Sequence, residues 1–161
     1  MRRRVNLRRV VLTSYFVSFA IFVSVGLSPV FATRYEISGK LTIPAINLET
    51  EVTDIELENN HLETPDLIVG SFASANNKTF LVGHASTVFH NLHKVQVGDI
   101  IEYNETKYVV KNTTVMAKSE ISMRELLKTS DIDTLIIMTC SGEDLGGGDA
   151  THRLILTAEG V

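Results

Sequence analysis

The sequence predicts a mostly-β single domain of seven or eight strands with one or two short helices, preceded by an N-terminal transmembrane helix. Three observations indicate this class. Short apolar runs rich in β-branched residues recur between turn residues after position 35. Helical periodicity is confined to two short segments. An uncharged apolar stretch follows a block of arginines at the N-terminus.

The N-terminal segment has its own composition. Arginines at positions 2, 3, 4, 8 and 9 precede residues 10–32, which carry no charge. An apolar helix of about 20 residues spans a bilayer, and flanking arginines stay on the cytoplasmic side. We therefore expect a basic cytoplasmic tail at 1–9, a membrane signal-anchor at 10–32 and an extracellular domain at 33–161. A cleavable signal peptide ending at Ala32 is the alternative, although this apolar stretch is longer than signal peptides usually carry.

The predicted extracellular domain is acidic. Residues 33–161 contain all 19 acidic residues but only ten of the 15 lysines and arginines, so the formal charge of this part is −9. Nucleic acids bind to basic surfaces, and the composition therefore argues against a nucleic-acid partner. The acidic side chains are most simply explained as a solvated surface.

Apolar segments predict the strands in order. Alternation over Ile37 and Leu41 stops at Pro44, which indicates a bend or an edge. The run "TFLV" at 79–82 predicts a strand that ends at Gly83. Residues 100–103 and 107–115, joined by "NETK", predict a hairpin. The runs "TLIIMT" and "HRLILTA" predict two further strands, since they are short and β-branched.

Two segments predict short helices. Ser119 is placed to cap an amphipathic turn that continues to Leu127. Residues 87–95 form the second candidate, with Val88, Leu92 and Val95 on one side.

The single cysteine, Cys140, ends the "TLIIMT" strand and precedes the glycine-rich loop "GEDLGGGDA". Outside the cell, an unpaired cysteine indicates a reactive thiol or an intermolecular partner. A buried structural thiol is the alternative. A nucleophilic cysteine needs partial exposure and a nearby cation. Antiparallel pairing of the two strands around a 141–151 loop would bring Arg153 beside Cys140.

His84 is the best candidate for proton transfer, because it follows the strand "FLVG" much as Cys140 ends its own strand. His90 and His93 lie in the second predicted helix, His61 lies in a polar loop, and His152 would face away from Arg153. A turn histidine bonded to backbone is the alternative interpretation of His84.

Several motifs occur together in one order: "VGHASTVFHNL", "VGDIIEY", "YVV", the pair Thr139-Cys140, and Arg153 thirteen positions after the cysteine. In these motifs the chain resembles the sortase family of membrane-anchored cysteine transpeptidases, from "LTIPAINLETEV" to the C-terminus. Two features depart from the family pattern. Ile136 and Ile137 replace the Thr and Leu of the Thr-Leu-x-Thr-Cys signature, and Ala85 follows the Gly-His pair.

The resemblance implies a sortase-like β-barrel and a set of roles. Cys140 would be the nucleophile, His84 the general acid and base, and Arg153 the group that steadies the developing oxyanion. Thr139 would contact substrate. We expect the loop glycines Gly146, Gly147 and Gly148 to form a mobile wall that admits the peptide.

The implied reaction cleaves a Leu-Pro-x-Thr-Gly-like sorting signal of a surface protein through a thioester on Cys140. The acyl group then passes to an amine of a peptidoglycan precursor or of a pilin lysine. The resemblance implies no cofactor and no metal.

Three other interpretations are open. A papain-like protease fits poorly, since there the cysteine precedes the histidine and usually opens a helix. An exported metal-binding domain could use His84, His90 and His93, with help from Glu143, Asp144 or Asp149. An exported non-enzymatic β domain would bury Cys140. Nucleotide binding is disfavoured, because the glycine-rich loop lacks a Gly-Lys-Ser/Thr ending and a following helix.

Overall fold

The computed structural model describes residues 35–58, 61–62, 64–75, 77–126 and 128–161. The predicted cytoplasmic tail at 1–9 and the signal-anchor at 10–32 lie outside the described residues. Within those described ranges, the helices are all too short or too polar to cross a membrane.

Ten strands and four short helical segments make up the described part of the chain. The strands are β1 (Ile37–Ile43), β2 (Leu48–Asp54), β3 (Leu57–Glu58), β4 (His61–Leu62), β5 (Val69–Ala75), β6 (Lys78–Val82), β7 (Ile100–Tyr103), β8 (Thr106–Ala117), β9 (Thr134–Gly146) and β10 (Asp149–Gly160). Helix α1 spans Met123–Leu126, and 3-10 helices span Pro44–Ile46, Leu92–Lys94 and Lys118–Glu120.

Eight of these strands close a barrel in the order β1-β2-β5-β6-β9-β10-β8-β7, with β7 pairing back onto β1. The pairs β2–β5 and β6–β9 are parallel, and the other barrel pairs are antiparallel. The short strands β3 and β4 form a separate ribbon. The predicted mostly-β fold with about eight strands is confirmed, and closure leaves the barrel without free edges.

The first half of β9, residues 134–139, is almost entirely buried on both faces, which explains its continuous apolar run. Leu135 and Ile137 point into the barrel core and are fully buried. Ile136 belongs to a second cluster on the other face, where Met123 and Leu126 of α1 pack against it. Burial on two sides fixes the register of β9, because a one-residue slip would exchange its two faces.

Turn chemistry shortens the predicted β7–β8 connection. The hairpin turns at Asn104 and Glu105, whose φ angles are 47° and 69°. Two adjacent residues with positive φ define a type I′ turn, the tightest connection that matches strand twist. The connection predicted across "NETK" is therefore a two-residue turn, and β8 begins at Thr106.

The predicted helices are shorter than expected. Within residues 87–95 the only helical segment is the 3-10 helix Leu92–Lys94, although Leu92 and Val95 are buried as the pattern indicated. Ser119 lies inside the 3-10 helix Lys118–Glu120 and is not the helix cap. Instead, the Ser122 hydroxyl accepts a hydrogen bond from the Glu125 amide over 3.4 Å at the start of α1.

The largest difference from prediction concerns the segment after Cys140. Residues 141–151, expected to form a loop, continue β9 and β10 as a hairpin that turns at Gly147 and Gly148. The φ angles of these two glycines are 64° and 80°, a conformation that other residues adopt only with strain. The glycines therefore build a tight turn rather than an irregular loop.

Candidate active site

The parallel strands β6 and β9 bring His84 and Cys140 to one edge of the barrel. Val82 pairs with Met138, and each functional residue lies two positions beyond its partner in this pair. β6 ends at Val82 while β9 continues, so the chain leaves the sheet towards His84 close to the level at which β9 carries Cys140. Each of the two residues follows an apolar strand segment in the sequence, and these two segments are neighbouring strands in the sheet.

Thr139 joins the two strands at this level. Its side chain is buried, and its hydroxyl donates a 2.7 Å hydrogen bond to the Gly83 carbonyl. The bond joins the peptide immediately before His84 to the side chain of the residue immediately before Cys140. Substrate contact by Thr139, which the resemblance implied, stays a prediction, and the observed contact is a positioning one.

Gly83 has no room for a side chain. A β-carbon at this position would lie 2.7 Å from ring carbons of Phe89 and from Cγ1 of Val88. Phe89 is buried in the core, so the chain after β6 can turn tightly over it only if residue 83 is glycine. This close approach sets the exit path that carries His84 to the site.

Cys140 and Arg153 are direct cross-strand partners in the β9–β10 hairpin, as predicted from the sequence. Directly opposite residues have β-carbons about 4.5–5.5 Å apart and project to the same face. Cys140 is partly exposed, which contradicts the alternative of a buried structural thiol. Its thiol donates a hydrogen bond to the Gly148 carbonyl over 3.4 Å.

The Arg153 guanidinium is held by three hydrogen bonds within its own strand. Nη1 donates to the carbonyls of Ala150 and His152, each over 2.9 Å, and Nη2 donates to Asp149 over 2.6 Å. The side chain is 13% exposed. Guanidinium has five N–H donors, so two of them, on Nε and Nη2, are left for another acceptor.

Asp149 lies between two cations. Its Oδ1 accepts from Arg153, and its Oδ2 lies 2.5 Å from the Lys118 ammonium. Hydrogen bonds from Lys118 and Arg153 hold the pKa of the Asp149 carboxyl well below its ordinary value. Asp149 was considered from sequence only as a possible metal ligand, and its contact with Arg153 depends on a strand irregularity that no local motif announces.

The ring of His84 is oriented through its Nε2 atom. Nε2 lies 3.1 Å from the Thr64 carbonyl and 3.9 Å from the exposed Asp66 carboxylate. A carbonyl only accepts hydrogen bonds, so Nε2 carries a proton, and Nδ1 is the nitrogen that can exchange one in the neutral ring. Sequence reasoning missed Thr64, since its contribution is a backbone atom.

Gly148 lies next to both reactive side chains. It accepts a hydrogen bond from the Cys140 thiol, and His84 is close enough that a β-carbon added to Gly148 would lie 3.7 Å from its Cε1 and 3.8 Å from its Nδ1. Around Gly146 and Gly147, by contrast, an added β-carbon would meet open space. Of the three predicted loop glycines, Gly148 is thus the one placed at the site.

The metal-binding alternative gains no support. Across the part of the chain that the structure describes, no three His, Cys, Asp or Glu side chains converge as metal ligands. The Nδ1 atom of His90 is bonded to the Thr87 carbonyl of its own turn over 3.1 Å.

A known protein family covers most of the chain. The model of the sortase domain family matches residues 41–161. A search of curated proteins by sequence gives no match.

Solved sortase structures share the fold. Sortase C-1 from Actinomyces oris is 22% identical with a TM-score of 0.60, over 78% of this chain and 72% of that one. Sortase A from Listeria monocytogenes is 18% identical with a TM-score of 0.61, over 78% and 87%. A sortase D5 transpeptidase from Clostridium perfringens is 23% identical with a TM-score of 0.58, over 80% and 82%. The likeness extends to several kinds of sortase and assigns this chain to none of them.

Proposed function

The chain belongs to the sortase family of transpeptidases, and we propose that it cleaves a Leu-Pro-x-Thr-Gly-like sorting signal through a thioester on Cys140. One observation carries the proposal. Cys140 is paired directly with Arg153, at the barrel edge where β6 delivers His84. A nucleophile, a fixed cation and a proton carrier thus share one partly exposed site.

In the first half-reaction, the Cys140 sulfur attacks the threonine carbonyl of the sorting signal. The thiol proton passes to His84, whose Nδ1 is the available ring nitrogen. The carbonyl oxygen becomes an oxyanion, and the C–N bond to glycine then breaks as His84 returns the proton to the departing amine. A thioester joins the threonine carbonyl carbon to Cys140.

In the second half-reaction, an amine attacks the thioester. His84 accepts a proton from the attacking nitrogen, the C–S bond breaks, and Cys140 recovers its proton. We propose an amine of a peptidoglycan precursor or a pilin lysine as the acceptor. Atoms balance without a cofactor, because one acyl group moves from one amine to another.

Arg153 supports both steps through its two uncommitted N–H donors. A donor placed beforehand on a developing oxyanion typically contributes about 10²–10³ in rate. Arg153 cannot act as the base, because guanidinium does not deprotonate in proteins. Its pairing opposite Cys140 supports a role beside the reacting carbonyl.

The glycine turn must shift for this reaction. In the resting arrangement the Cys140 thiol is bonded to the Gly148 carbonyl, and His84 packs against the same residue. A substrate carbonyl has to displace that contact to reach the sulfur. Three consecutive glycines with positive φ provide a turn with low barriers to such movement.

We also propose that the enzyme works at the outer face of the cell membrane on surface proteins that carry the sorting signal. The arginine block and the apolar stretch at 10–32 support an uncleaved signal-anchor. A single-pass anchor would hold the catalytic domain where membrane-bound precursors of surface proteins are processed.

The central experiment combines cleavage with trapping. The purified full chain is incubated with a panel of Leu-Pro-x-Thr-Gly peptides and sequence-permuted controls, with and without glycine and lysine amines as acceptors. We expect cleavage between Thr and Gly, an acyl adduct on Cys140 by mass spectrometry, and a new amide product when an amine is present. Cys140→Ala should abolish all three signals.

Variants of the other two residues test their roles separately. His84→Gln should lower turnover by about 10²–10⁴ and Arg153→Met by about 10²–10³, while iodoacetamide still labels Cys140. Absence of cleavage and of any Cys140 adduct across the panel, from a protein whose thiol is alkylated normally, would contradict the proposed function.

A further inference from the structure

We propose that Asp149 is a positioning residue, whose carboxylate sets the orientation of the Arg153 guanidinium beside Cys140 and is itself fixed to the barrel by Lys118. The inference rests on the proposed function for the role of Arg153. It assigns the task of aiming Arg153 to a side chain that touches neither the nucleophile nor the proton carrier.

The β9–β10 hairpin is irregular where it carries Asp149. Residues four apart in a regular strand are separated by about 13 Å, too far for a carboxylate to meet an arginine side chain easily. The register of β10 against β9 shifts between Asp149 and Ala150 and again between Ala150 and His152, and each shift places one extra residue in β9. Such bulges bend the paired strands and re-aim their side chains. In this bent hairpin Asp149 reaches Arg153 at 2.6 Å.

The same irregularity supplies the other acceptors of Arg153. The carbonyls of Ala150 and His152, which flank the second register shift, both accept from Nη1. On the adjoining side of the guanidinium, Asp149 accepts a hydrogen bond from Nη2. Three contacts to a planar group define its plane and rotation, so the remaining Nε and Nη2 donors have a fixed direction.

Asp149 is the side-chain member of this set, and Lys118 holds it. Lys118 follows β8 directly, at the start of a 3-10 helix, and its ammonium lies 2.5 Å from Oδ2. The last β8–β10 pair is Ala117 with His152. The bridge from Lys118 to Asp149 thus extends the contact between β8 and β10 beyond the end of their ladder. Through Asp149, it ties the guanidinium to the end of β8 in the barrel wall.

The effect of losing Asp149 on protein stability distinguishes a positioning role from a purely structural one. Lys118 and Asp149 are 54% and 36% exposed, and ion pairs so exposed to solvent contribute little to folding. Loss of Asp149 should therefore change the behaviour of Arg153 far more than it changes the melting temperature.

Chemical modification tests the contact without any peptide substrate. The purified full chain is treated with phenylglyoxal, which modifies guanidinium groups, and each arginine is followed by mass spectrometry. In Asp149→Asn we expect modification of Arg153 to accelerate on the order of tenfold, the equivalent of one charge-assisted hydrogen bond. Arg124, which is exposed in α1, is the internal reference and should not change.

Two further variants sharpen this measurement. Asp144→Asn removes another hairpin carboxylate, one that accepts from the Gly146 amide and makes no contact with Arg153, and Arg153 should then react at the wild-type rate. Lys118→Met leaves Asp149 bonded to Arg153 but removes its bond to the barrel. We therefore expect a rate of Arg153 modification between those of the wild type and Asp149→Asn. Equal Arg153 reactivity in the wild type and Asp149→Asn would overturn the inference.

Kinetics then connect the contact with catalysis. With the peptide of the panel that the wild type cleaves fastest, Asp149→Asn should lower kcat on the order of tenfold with KM changed less than about twofold. In an Arg153→Lys background, which already lacks the fork, the same substitution should add little. Equal losses in both backgrounds would show that Asp149 acts independently of Arg153 and would refute the positioning role.

The two proposals fail in different ways. If the wild type cleaves no peptide, the proposed function is refuted, while the phenylglyoxal rates still decide whether Asp149 holds Arg153. If peptides are cleaved but Asp149→Asn matches the wild type in kcat, the proposed function stands and the role of Asp149 in catalysis is refuted.

Discussion

The inner and outer halves of β9 belong to one strand but have opposite surroundings. Residues 134–139 are almost entirely buried, whereas residues 143–146 are exposed beyond the end of β6. Cys140 lies at the boundary between them. The two halves of β9 thus have different tasks. The buried half holds the backbone of Cys140 in place, and the exposed half forms the hairpin that covers the thiol and can move aside.

The largest effect on stability is expected in the inner half. Ile137→Ala removes a fully buried side chain from the barrel core and should lower the free energy of unfolding by about 2–5 kcal/mol. Leu145→Ala is the control from the outer half, since Leu145 is 61% exposed and its truncation should cost less than about 0.5 kcal/mol. Urea denaturation measures both values. Similar losses in the two variants would contradict the division of β9 proposed above.

The second effect concerns the link between the strands that carry the two reactive residues. Thr139→Val keeps the side-chain shape but leaves the Gly83 carbonyl without its donor, at a cost of about 1–3 kcal/mol. The bond joins the strand segment that ends before His84 to the strand that carries Cys140. We therefore expect kcat for peptide cleavage to fall as well.

Thr139→Ser restores the hydroxyl and serves as the control for the second variant. It should recover most of the turnover, since the hydroxyl and not the methyl group makes the bond. Full turnover in Thr139→Val would show that the strand link is dispensable for aligning the site.

The third effect is the pH dependence of stability, which differs between a tyrosine of the barrel wall and a carboxylate of the hairpin. Burial and the hydrogen bond to Asp133 raise the pKa of Tyr108, in the barrel strand β8, to about 12. The folded state therefore favours the neutral phenol. This contribution is fully present below the ordinary pKa of about 10 and is lost as the pH rises towards 12.

Tyr108→Phe tests this alkaline response. It should cost about 1 kcal/mol at neutral pH and lose less stability than the wild type between pH 10 and 12. Tyr35→Phe, at a 42% exposed position, should follow the wild type. Equal losses of stability in Tyr108→Phe and the wild type between pH 10 and 12 would refute this role of Tyr108.

The depressed pKa of Asp149 has the opposite effect on the pH dependence of stability. Its contribution is present above its ordinary pKa and is lost as the pH falls below that value.

The smallest effect on stability is expected in the outer hairpin. Gly148→Ala and Gly146→Ala each force alanine to a positive φ, of 80° and 84°, and each should cost about 1 kcal/mol. Only the methyl group at 148 would touch His84. We therefore expect a larger fall in kcat/KM for Gly148→Ala than for Gly146→Ala at equal stability. Equal kinetic effects would indicate that Gly148 has no special relation to the histidine.

Local patterns in the sequence accounted for much of the fold. The runs at 79–82, 100–103 and 135–139 became strands because apolar β-branched residues gain most from a buried sheet. The pairing of Cys140 with Arg153 was also predictable, because two adjacent strong strands favour an antiparallel hairpin. The tight turn was missed, since the pattern "GGG" indicates conformational freedom without indicating which φ values the chain adopts.

The residues of the site also form two groups: those that the sequence pattern identifies and those that only the fold brings into contact. His84 and Cys140 could be selected from residue type and strand-end position, but their common level depends on the parallel β6–β9 pair. That pair joins segments more than 50 residues apart, so no local periodicity encodes it. The contacts of Thr64, Gly148 and Asp149 depend on backbone paths and on a bulge, and therefore follow from the packed structure alone.

The amino-acid sequence contains the chemistry available to this protein: one thiol, one arginine thirteen positions later in a strand, a histidine at the end of another strand, and a strongly apolar segment near the N-terminus. The geometry of the site came from folding, because barrel closure sets which strands become neighbours and strand irregularity sets where side chains point. Tertiary packing thus placed the Gly148 carbonyl against the Cys140 thiol and the Asp149 carboxylate against the Arg153 guanidinium.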